Sequence, residues 1–369
     1  MKKSILFFIP SLGGGGAEKV LITILNNLNK NKYDISVLLT FNHGEYIDQI
    51  PSGVQLKYIF KKSNKLITKI YYKTIRFISS KILYKLFVKD IYDIEVAFLE
   101  GEAVKILSGS TNNSKKIAWV HTDLERFHWT EDYYKNFEEE KAAFTKFNQV
   151  ICVSNDVRKA FESVFSISGT SKVIYNPLDK NEIEIKSNKE NVTFDKFTIC
   201  SVGRLIDVKG YDRLISAHKR LIDNGFDHNL IILGEGNERD KLERKIRELG
   251  IVSSASLIGF KTNPYPYIKS SNLFVVSSIT EGFPLVVAEA LILQKAIVST
   301  NCSGANEILE NGKFGLVVDN SEDGIYSGIK EIIGNKSLID KYSEMASKRI
   351  NIFDIEVITR EIDNLFDEK

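Results

Sequence analysis

The sequence predicts an α/β fold built from two Rossmann-like, doubly wound domains. Short apolar runs alternate with helical stretches along most of the chain, as they do when strands of a parallel sheet are joined by covering helices. A polar stretch between Asp179 and Lys196 interrupts the alternation, which then resumes. The 369 residues also exceed the size at which a single core usually keeps growing. The expected domains are 1–178 and 179–352, with a C-terminal helix over 353–369 placed to pack back onto the first.

Composition narrows the function. Hydrophobic residues at 43% and charged residues at 27% are those of an ordinary globular protein, and a net charge of +2 gives no reason to expect a nucleic-acid partner. Cys152, Cys200 and Cys302 are far apart, which fits a reducing compartment and opposes a disulfide framework or a thiolate metal site. The start of the chain resembles a signal peptide for a few residues only, because the apolar stretch stops at Pro10 and glycines follow. No run reaches the roughly 18 apolar residues of a membrane span, so any membrane contact is expected to be peripheral.

In the first domain, Ile5–Ile9 reads as a buried strand, Gly13–Gly16 as a loop and Ala17–Leu28 as a helix with apolar positions at Val20, Leu21, Ile24, Leu25 and Leu28. Strand, glycine loop and helix N-terminus together suit a phosphate, since Gly14, Gly15 and Gly16 let the backbone come close and the helix end is partly positive. A merely flexible loop is the other reading. Tyr33–Thr40 supplies a second strand.

From Lys61 to Lys89 the chain carries nine basic residues, Lys65, Lys69, Lys73, Arg76, Lys81 and Lys85 among them, and no acidic one. Apolar residues interleave at spacings of three and four, which marks one or two amphipathic helices. Such helices either dock on an anionic bilayer, at about 1 kcal/mol per nearby cation, or cover the sheet with their lysines solvated.

Ile94–Leu99 and Lys116–Val120 are further strands, and Glu102–Leu107 is a short helix. The second of these strands ends at His121, bracketed by Trp119 and Trp129. Open α/β sheets bind ligands at the carboxyl ends of their strands, and aromatic faces suit a sugar ring; a hydrogen-bonded structural histidine is the alternative. His43, His218 and His228 show no ligand spacing with one another or with the cysteines, and His128 has no comparable support. Gln149–Val153 is a strand, Ser154 an N-cap, and Lys172–Tyr175 a strand that Pro177 stops.

The second domain begins with the strand Phe197–Val202, followed by Gly203, Arg204 and, five positions later, Lys209 before a helix over Tyr211–Ile222. Two fixed cations there can neutralise a diphosphate, Arg by a bidentate fork and Lys as a point charge. The strand Leu230–Leu233 ends at Gly234, and Arg239–Leu249 is a helix. Ser256–Gly259, Leu273–Val276, Ala296–Thr300 and Gly315–Val318 complete the strands.

After Leu273–Val276 comes Glu281-Gly-Phe-Pro-Leu-Val-Val-Ala-Glu289, a turn opening a helix with carboxylates eight positions apart. With Pro284 as first helical residue, the free N–H groups behind it suit an anion, and the two glutamates suit hydroxyls. An ordinary turn with solvated glutamates is the alternative for this motif alone.

Taken in order, Gly13–Gly16 with Glu18, Gly203-Arg204 with Lys209-Gly210, Gly234-Glu235-Gly236 and Glu281-to-Glu289 resemble the family 4 glycosyltransferases, retaining nucleotide-sugar enzymes of the GT-B fold. The resemblance covers nearly the whole chain. It implies two Rossmann-like domains facing a central cleft, the first for the acceptor and the second for the donor, and catalysis without a metal or other cofactor. It further implies that Arg204 and Lys209 hold the diphosphate and stabilise its leaving charge. Glu281 would bind donor-sugar hydroxyls and Glu289 the ribose. The backbone of Phe283, Pro284 and Leu285 would line the sugar and phosphate site, Gly14–Gly16 would approach the diphosphate, Phe260 would border the base, and His121 would stand near the reacting sugar. Many relatives have Asn where this chain has Leu285, so the resemblance does not extend to their donor-sugar selectivity.

The reading is therefore a retaining glycosyltransferase that moves a hexose or N-acetylhexosamine from a nucleotide sugar, expected to be a UDP-sugar, to a lipid-linked or polysaccharide acceptor. It would work in the cytoplasm at the inner face of the membrane, held to the anionic surface by 61–89. A UDP-sugar 2-epimerase and a non-catalytic nucleotide-sugar-binding protein are the alternatives.

Overall fold

The computed structural model describes residues 2–61 and 65–368. Lys62 and the side chain of Lys65, both in the basic window, lie outside the described residues. The chain divides into two compact units, Met1–Pro177 with Ile355–Lys369, and Leu178–Asp354.

Unit 1 holds a seven-stranded parallel sheet. Its strands are β1 (Lys3–Phe8), β2 (Tyr33–Phe41), β3 (Val54–Phe60), β4 (Ile94–Ala97), β5 (Lys115–Val120), β6 (Gln149–Cys152) and β7 (Ser171–Val173), in the order β3-β2-β1-β4-β5-β6-β7. Helices α1 (Gly16–Asn27), α2 (Lys65–Thr74), α3 (Ser80–Phe87), α4 (Glu102–Leu107), α5 (Phe137–Phe144) and α6 (Asn155–Phe165) connect them. Ile5 to Ile9 are buried without alternation, as expected of a strand covered on both faces. On α1 the residues buried include Val20, Leu21, Ile24 and Leu25, the stripe read from their spacing. Ser154 caps α6 by accepting the Val157 N–H.

Unit 2 repeats the plan with a six-stranded sheet. In chain order come α7 (Lys180–Ser187), β8 (Thr198–Val202), α8 (Tyr211–Asp223), β9 (Asn229–Leu233), α9 (Arg239–Glu248), β10 (Ala255–Gly259), α10 (Tyr265–Ser270), β11 (Leu273–Val276), α11 (Leu285–Ile292), β12 (Ala296–Thr300), α12 (Ala305–Ile308), β13 (Leu316–Val318), α13 (Glu322–Ile333) and α14 (Lys336–Ala346). The strand order is β10-β9-β8-β11-β12-β13, all parallel. Leu178 bridges to Asp354 and donates its N–H to Phe353 at 2.9 Å, which places it with this unit. The polar stretch after Asp179 is not a bare linker. Asp179 accepts the Glu182 N–H at 2.8 Å and so starts α7, whose contacts run to α10 and α11.

The last helix, α15 (Ile355–Asp367), belongs to unit 1. Phe366 meets Phe7 and Tyr33 edge-on at 6.1 and 5.7 Å, and Asp367 pairs with Lys3 and Lys32. Each sheet has one place where successive connections run in opposite directions, between β1 and β4 in unit 1 and between β8 and β11 in unit 2. Doubly wound folds bind ligands outside the strand ends at that place.

Candidate active site

In unit 2 the loops leaving β8 and β11 bring two of the predicted residues together. Lys209 donates to Glu281 Oε1 at 2.5 Å, and Ser278 Oγ donates to the same oxygen at 2.6 Å. The pair is largely shielded, with the side chains 18% and 13% exposed. Arg204 is exposed on the same β8 loop. The sequence reading gives Lys209 and Glu281 separate tasks; the structure adds that the two form an ion pair.

Glycines make this arrangement possible. Gly203 lies under the Lys209 and Tyr211 side chains, where a Cβ would meet the Tyr211 hydroxyl at 2.7 Å. Gly234 has φ +147, and a Cβ there would fall 1.9 Å from the Gly203 carbonyl, so the ends of β8 and β9 can approach only with hydrogen at that position. Gly234 in turn donates to the Gly259 carbonyl at 2.9 Å, which places the exposed Phe260 at the end of the neighbouring strand.

The β11 loop is held from behind by residues that belong to no motif. Arg213 donates to the Ser277 carbonyl at 2.7 Å, Thr300 to that of Ser278 at 2.6 Å, and Asn320 to that of Ile279 at 2.8 Å. Gly304, at φ +73, abuts the Gly282 carbonyl. α11 begins at Leu285, so Pro284 is its N-cap, with extended ψ 91, and not the first helical residue expected from the sequence. Proline in the cap still withholds an N–H that the helix would not have used. Phe283 is buried against Phe353 at 5.4 Å, and Leu285 is buried on the core. Glu289 is only 2% exposed, with the Tyr265 hydroxyl 3.3 Å from its Oε1.

Unit 1 carries its own groups at the strand ends. Gly15 is the N-cap of α1, and Glu18 folds back so closely that a Cβ on Gly15 would strike its carboxylate. His121 follows β5; its ring packs on Phe98 at 5.2 Å and hydrogen-bonds to the Phe98 backbone, while Nε2 is buried with no partner. Burial pushes the imidazole down to about 3, against that hydrogen bond, so the ring is neutral at physiological pH.

Two buried acids flanking Gly101 carry no motif in the sequence. Glu100 accepts the His121 backbone N–H at 2.9 Å. Glu102 accepts from Tyr71 at 2.6 Å and from Thr40, and burial pushes its carboxyl up to about 7 against these hydrogen bonds and one from Tyr72. The available signal was their position, at the carboxyl end of a predicted strand around Gly101.

The basic window forms α2, a 3-10 turn and α3. Lys69, Lys73, Lys81 and Lys85 are exposed, and Leu66, Ile70, Phe77, Ile82 and Leu86 beside them are also more than half exposed. Arg76 departs from the group: it is half-buried over the Phe77 ring at 5.7 Å. Among the described residues no helix is long and apolar enough to cross a membrane, and no group of three or more His, Cys, Asp or Glu side chains is placed to hold a metal ion. His218 and His228, unrelated in sequence spacing, meet in unit 2 at 2.8 Å between ring nitrogens. Ser254 and the Phe226 carbonyl hold the outer nitrogens.

Comparison with known proteins adds to this geometry. Residues 14–182 match the model of Glycosyltransferase Family 4, and residues 182–349 match that of Glycosyl transferases group 1. The chain is 29% identical over 364 residues, 96% of each chain, to the Campylobacter jejuni N-acetylgalactosamine-N,N'-diacetylbacillosaminyl-diphospho-undecaprenol 4-alpha-N-acetylgalactosaminyltransferase. It is 30% identical over 277 residues to an uncharacterized glycosyltransferase of Methanocaldococcus jannaschii, covering 69% of this chain and 67% of that one. The fold matches Anabaena HepE in complex with UDP and glucose with a TM-score of 0.79 at 20% identity over the full length of both chains.

Proposed function

The chain belongs to the family 4 glycosyltransferases of GT-B fold, and from that premise we propose that it transfers a hexose or N-acetylhexosamine from a UDP-sugar, with retention, in bacterial surface glycan biosynthesis. The observation that carries the reading is the shielded Lys209–Glu281 pair at the switch point of the second sheet. A diphosphate arriving there competes with Glu281 for the Lys209 ammonium, and Arg204 adds a second, fixed cation. The released Glu281 carboxylate is then free to accept sugar hydroxyls. As the glycosidic bond breaks, negative charge grows on the diphosphate, and the two cations stabilise it without a metal ion.

On unit 1, His121 is proposed to stand near the reacting sugar and the Gly14–Gly16 loop to approach the diphosphate. Glu289 is proposed to meet the ribose, and Gly203, Gly234, Phe260 and the Phe283–Leu285 backbone to line the donor. A lipid-linked acceptor is favoured over a soluble one by the Campylobacter relative, whose name specifies a diphospho-undecaprenol substrate, and by the basic, partly apolar face of α2 and α3. That face is proposed to dock on the anionic inner surface of the cytoplasmic membrane.

The test is a thermal-shift and calorimetric screen against UDP, GDP, ADP and their sugars. Saturable stabilisation by UDP and UDP-sugars is expected, and Arg204→Ala should remove most of it. Stabilisation by GDP compounds alone would overturn the donor assignment.

A further inference from the structure

The adjoining ends of β4 and β5 carry polar atoms that the fold leaves unmet. Glu100 is 0% exposed; the His121 N–H donates to its Oε2, and the Thr122 and Trp129 side chains also hydrogen-bond the carboxylate. Its Oε1 has no partner, and neither has Nε2 of His121. Buried polar atoms are nearly always paired, so two unmet atoms on residues joined by one hydrogen bond require an explanation.

The two atoms have the same chemistry. A carboxylate oxygen accepts, and the His121 ring spends its proton on the Phe98 backbone, which leaves Nε2 as a lone pair on a neutral imidazole. Two acceptors on residues joined by a backbone hydrogen bond disfavour an anion such as phosphate and call for donors. A sugar ring presents hydroxyl donors at fixed spacing together with apolar C–H faces. Half-buried aromatic rings lie alongside: Trp129 and Tyr133 pack edge to face at 5.9 Å, and both reach within 3.3 Å of where a Cβ on Gly101 would stand. With Gly101 at φ +86, that crowding fixes the turn carrying Glu100.

We infer that Glu100 is a hydroxyl-binding residue of this transferase, its Oε1 acting with His121 Nε2 to accept hydrogen bonds from two hydroxyls of one hexopyranose. The inference rests on the sugar-transfer reading above and adds a residue to which no motif points. The hexopyranose is either the one carried by the donor or the terminal sugar of the acceptor, and the two sources separate experimentally.

Glu100→Gln keeps the size of the side chain and replaces a pure acceptor by a group that also donates. Binding of UDP, UDP-glucose and UDP-N-acetylglucosamine is measured by calorimetry, and initial rates are measured with a panel of p-nitrophenyl hexosides. If the donor sugar is held, Glu100→Gln leaves UDP affinity within about twofold and weakens the UDP-sugars about tenfold or more, a loss of ~1.4 kcal/mol. If the acceptor sugar is held, donor binding is unchanged and the acceptor KM rises by a similar factor. Glu95→Gln is the control. Glu95 is an equally buried acid with one oxygen likewise unmet, but it stands at the amino end of β4, tied to Tyr84 and Ser110, so its replacement should leave both quantities as they are.

Should Glu100→Gln fail to fold, monodeoxy analogues of the bound sugar decide on the wild type and on Glu281→Gln: two positions should each lose about tenfold, and that loss should persist when Glu281 is replaced. Wild-type behaviour of Glu100→Gln in both arms, or indifference to every deoxy position, overturns the inference and leaves a buried water as the occupant. A wild-type protein that binds no UDP compound overturns the donor assignment instead. The same comparison on GDP- and ADP-sugars then decides the role of Glu100.

Discussion

Glu281 and Glu289 belong to one nine-residue stretch but occupy different surroundings, and their isosteric variants should differ accordingly. Glu281→Gln leaves the Lys209 ammonium without its counter-charge. UDP binding should hold or tighten while turnover falls about tenfold or more, ~1.4 kcal/mol of barrier. Glu289→Gln should weaken UDP itself. Calorimetry on both variants beside steady-state rates checks the pair, and equal effects on both quantities would mean that the roles are wrongly assigned. The buried His218–His228 pair makes a prediction about pH. Burial holds both imidazoles below their ordinary value, His218 down to about 3. The unfolded chain takes up protons below about pH 6.5 while the folded pair resists, so stability is complete above that pH and declines as pH falls, with a slope approaching about 1.4 kcal/mol per unit for His218. Thermal unfolding followed from pH 7.5 to 5.0 should show a falling midpoint, and a His218→Gln/His228→Gln variant should show a flatter one.

Among the elements, those with strong periodicity were legible and those set by tertiary context were not. β1, α1, β8 and β11 lie where apolar runs put them, because buried parallel strands are apolar throughout and α1 shows one clean stripe. β3 escaped notice. It is an edge strand whose residues Val54–Phe60 are only partly buried, and Lys57 sits in its middle, paired with Asp90. α7 was hidden by polarity: only Ile183 and Ser187 of its eight residues are buried, so no apolar stripe announces it. Of the proposed site, the glycines and Glu281 stand out in the sequence because their chemistry appears there. Glu100, Glu102 and the support from Arg213, Thr300 and Asn320 were not, because a glutamate or arginine shows its burial and partners only in three dimensions. The α2–α3 segment yields a test of its own. Flotation with anionic vesicles should exceed that with neutral ones and weaken with salt, since screening shortens the reach of exposed lysines to about 10 Å at 0.1 M. Replacing Lys69, Lys73, Lys81 and Lys85 by Gln should lower flotation, and equal binding to neutral vesicles would sink the electrostatic account.

For the whole molecule, the division of the chain predicts unequal independence of the two units. Residues 178–354 are contiguous and enclose a core of their own around Ile199, Leu214, Leu230 and Ile329, so that fragment should unfold cooperatively by itself. Residues 1–177 alone lack α15 and expose the faces of Phe7 and Tyr33 that Phe366 covers. Calorimetry on the two fragments checks this, and a sharp transition for 1–177 at the midpoint of unit 1 in the intact chain would refute it. The exposed ion pairs of Asp367 contribute little, typically below about 1 kcal/mol each, whereas truncating a buried Phe costs roughly 3–5 kcal/mol. The closure of unit 1 therefore depends on the apolar stripe of α15, Phe366 together with Ile358, Ile362 and Leu365. This dependence has a consequence during synthesis. The ribosome delivers the first seven strands, then the entire second unit, and only afterwards the helix that covers the first sheet. The nascent chain thus carries an uncovered apolar patch around Phe7 and Tyr33 through the making of about 180 residues, a period on the order of ten to forty seconds, in which a chaperone has its clearest target.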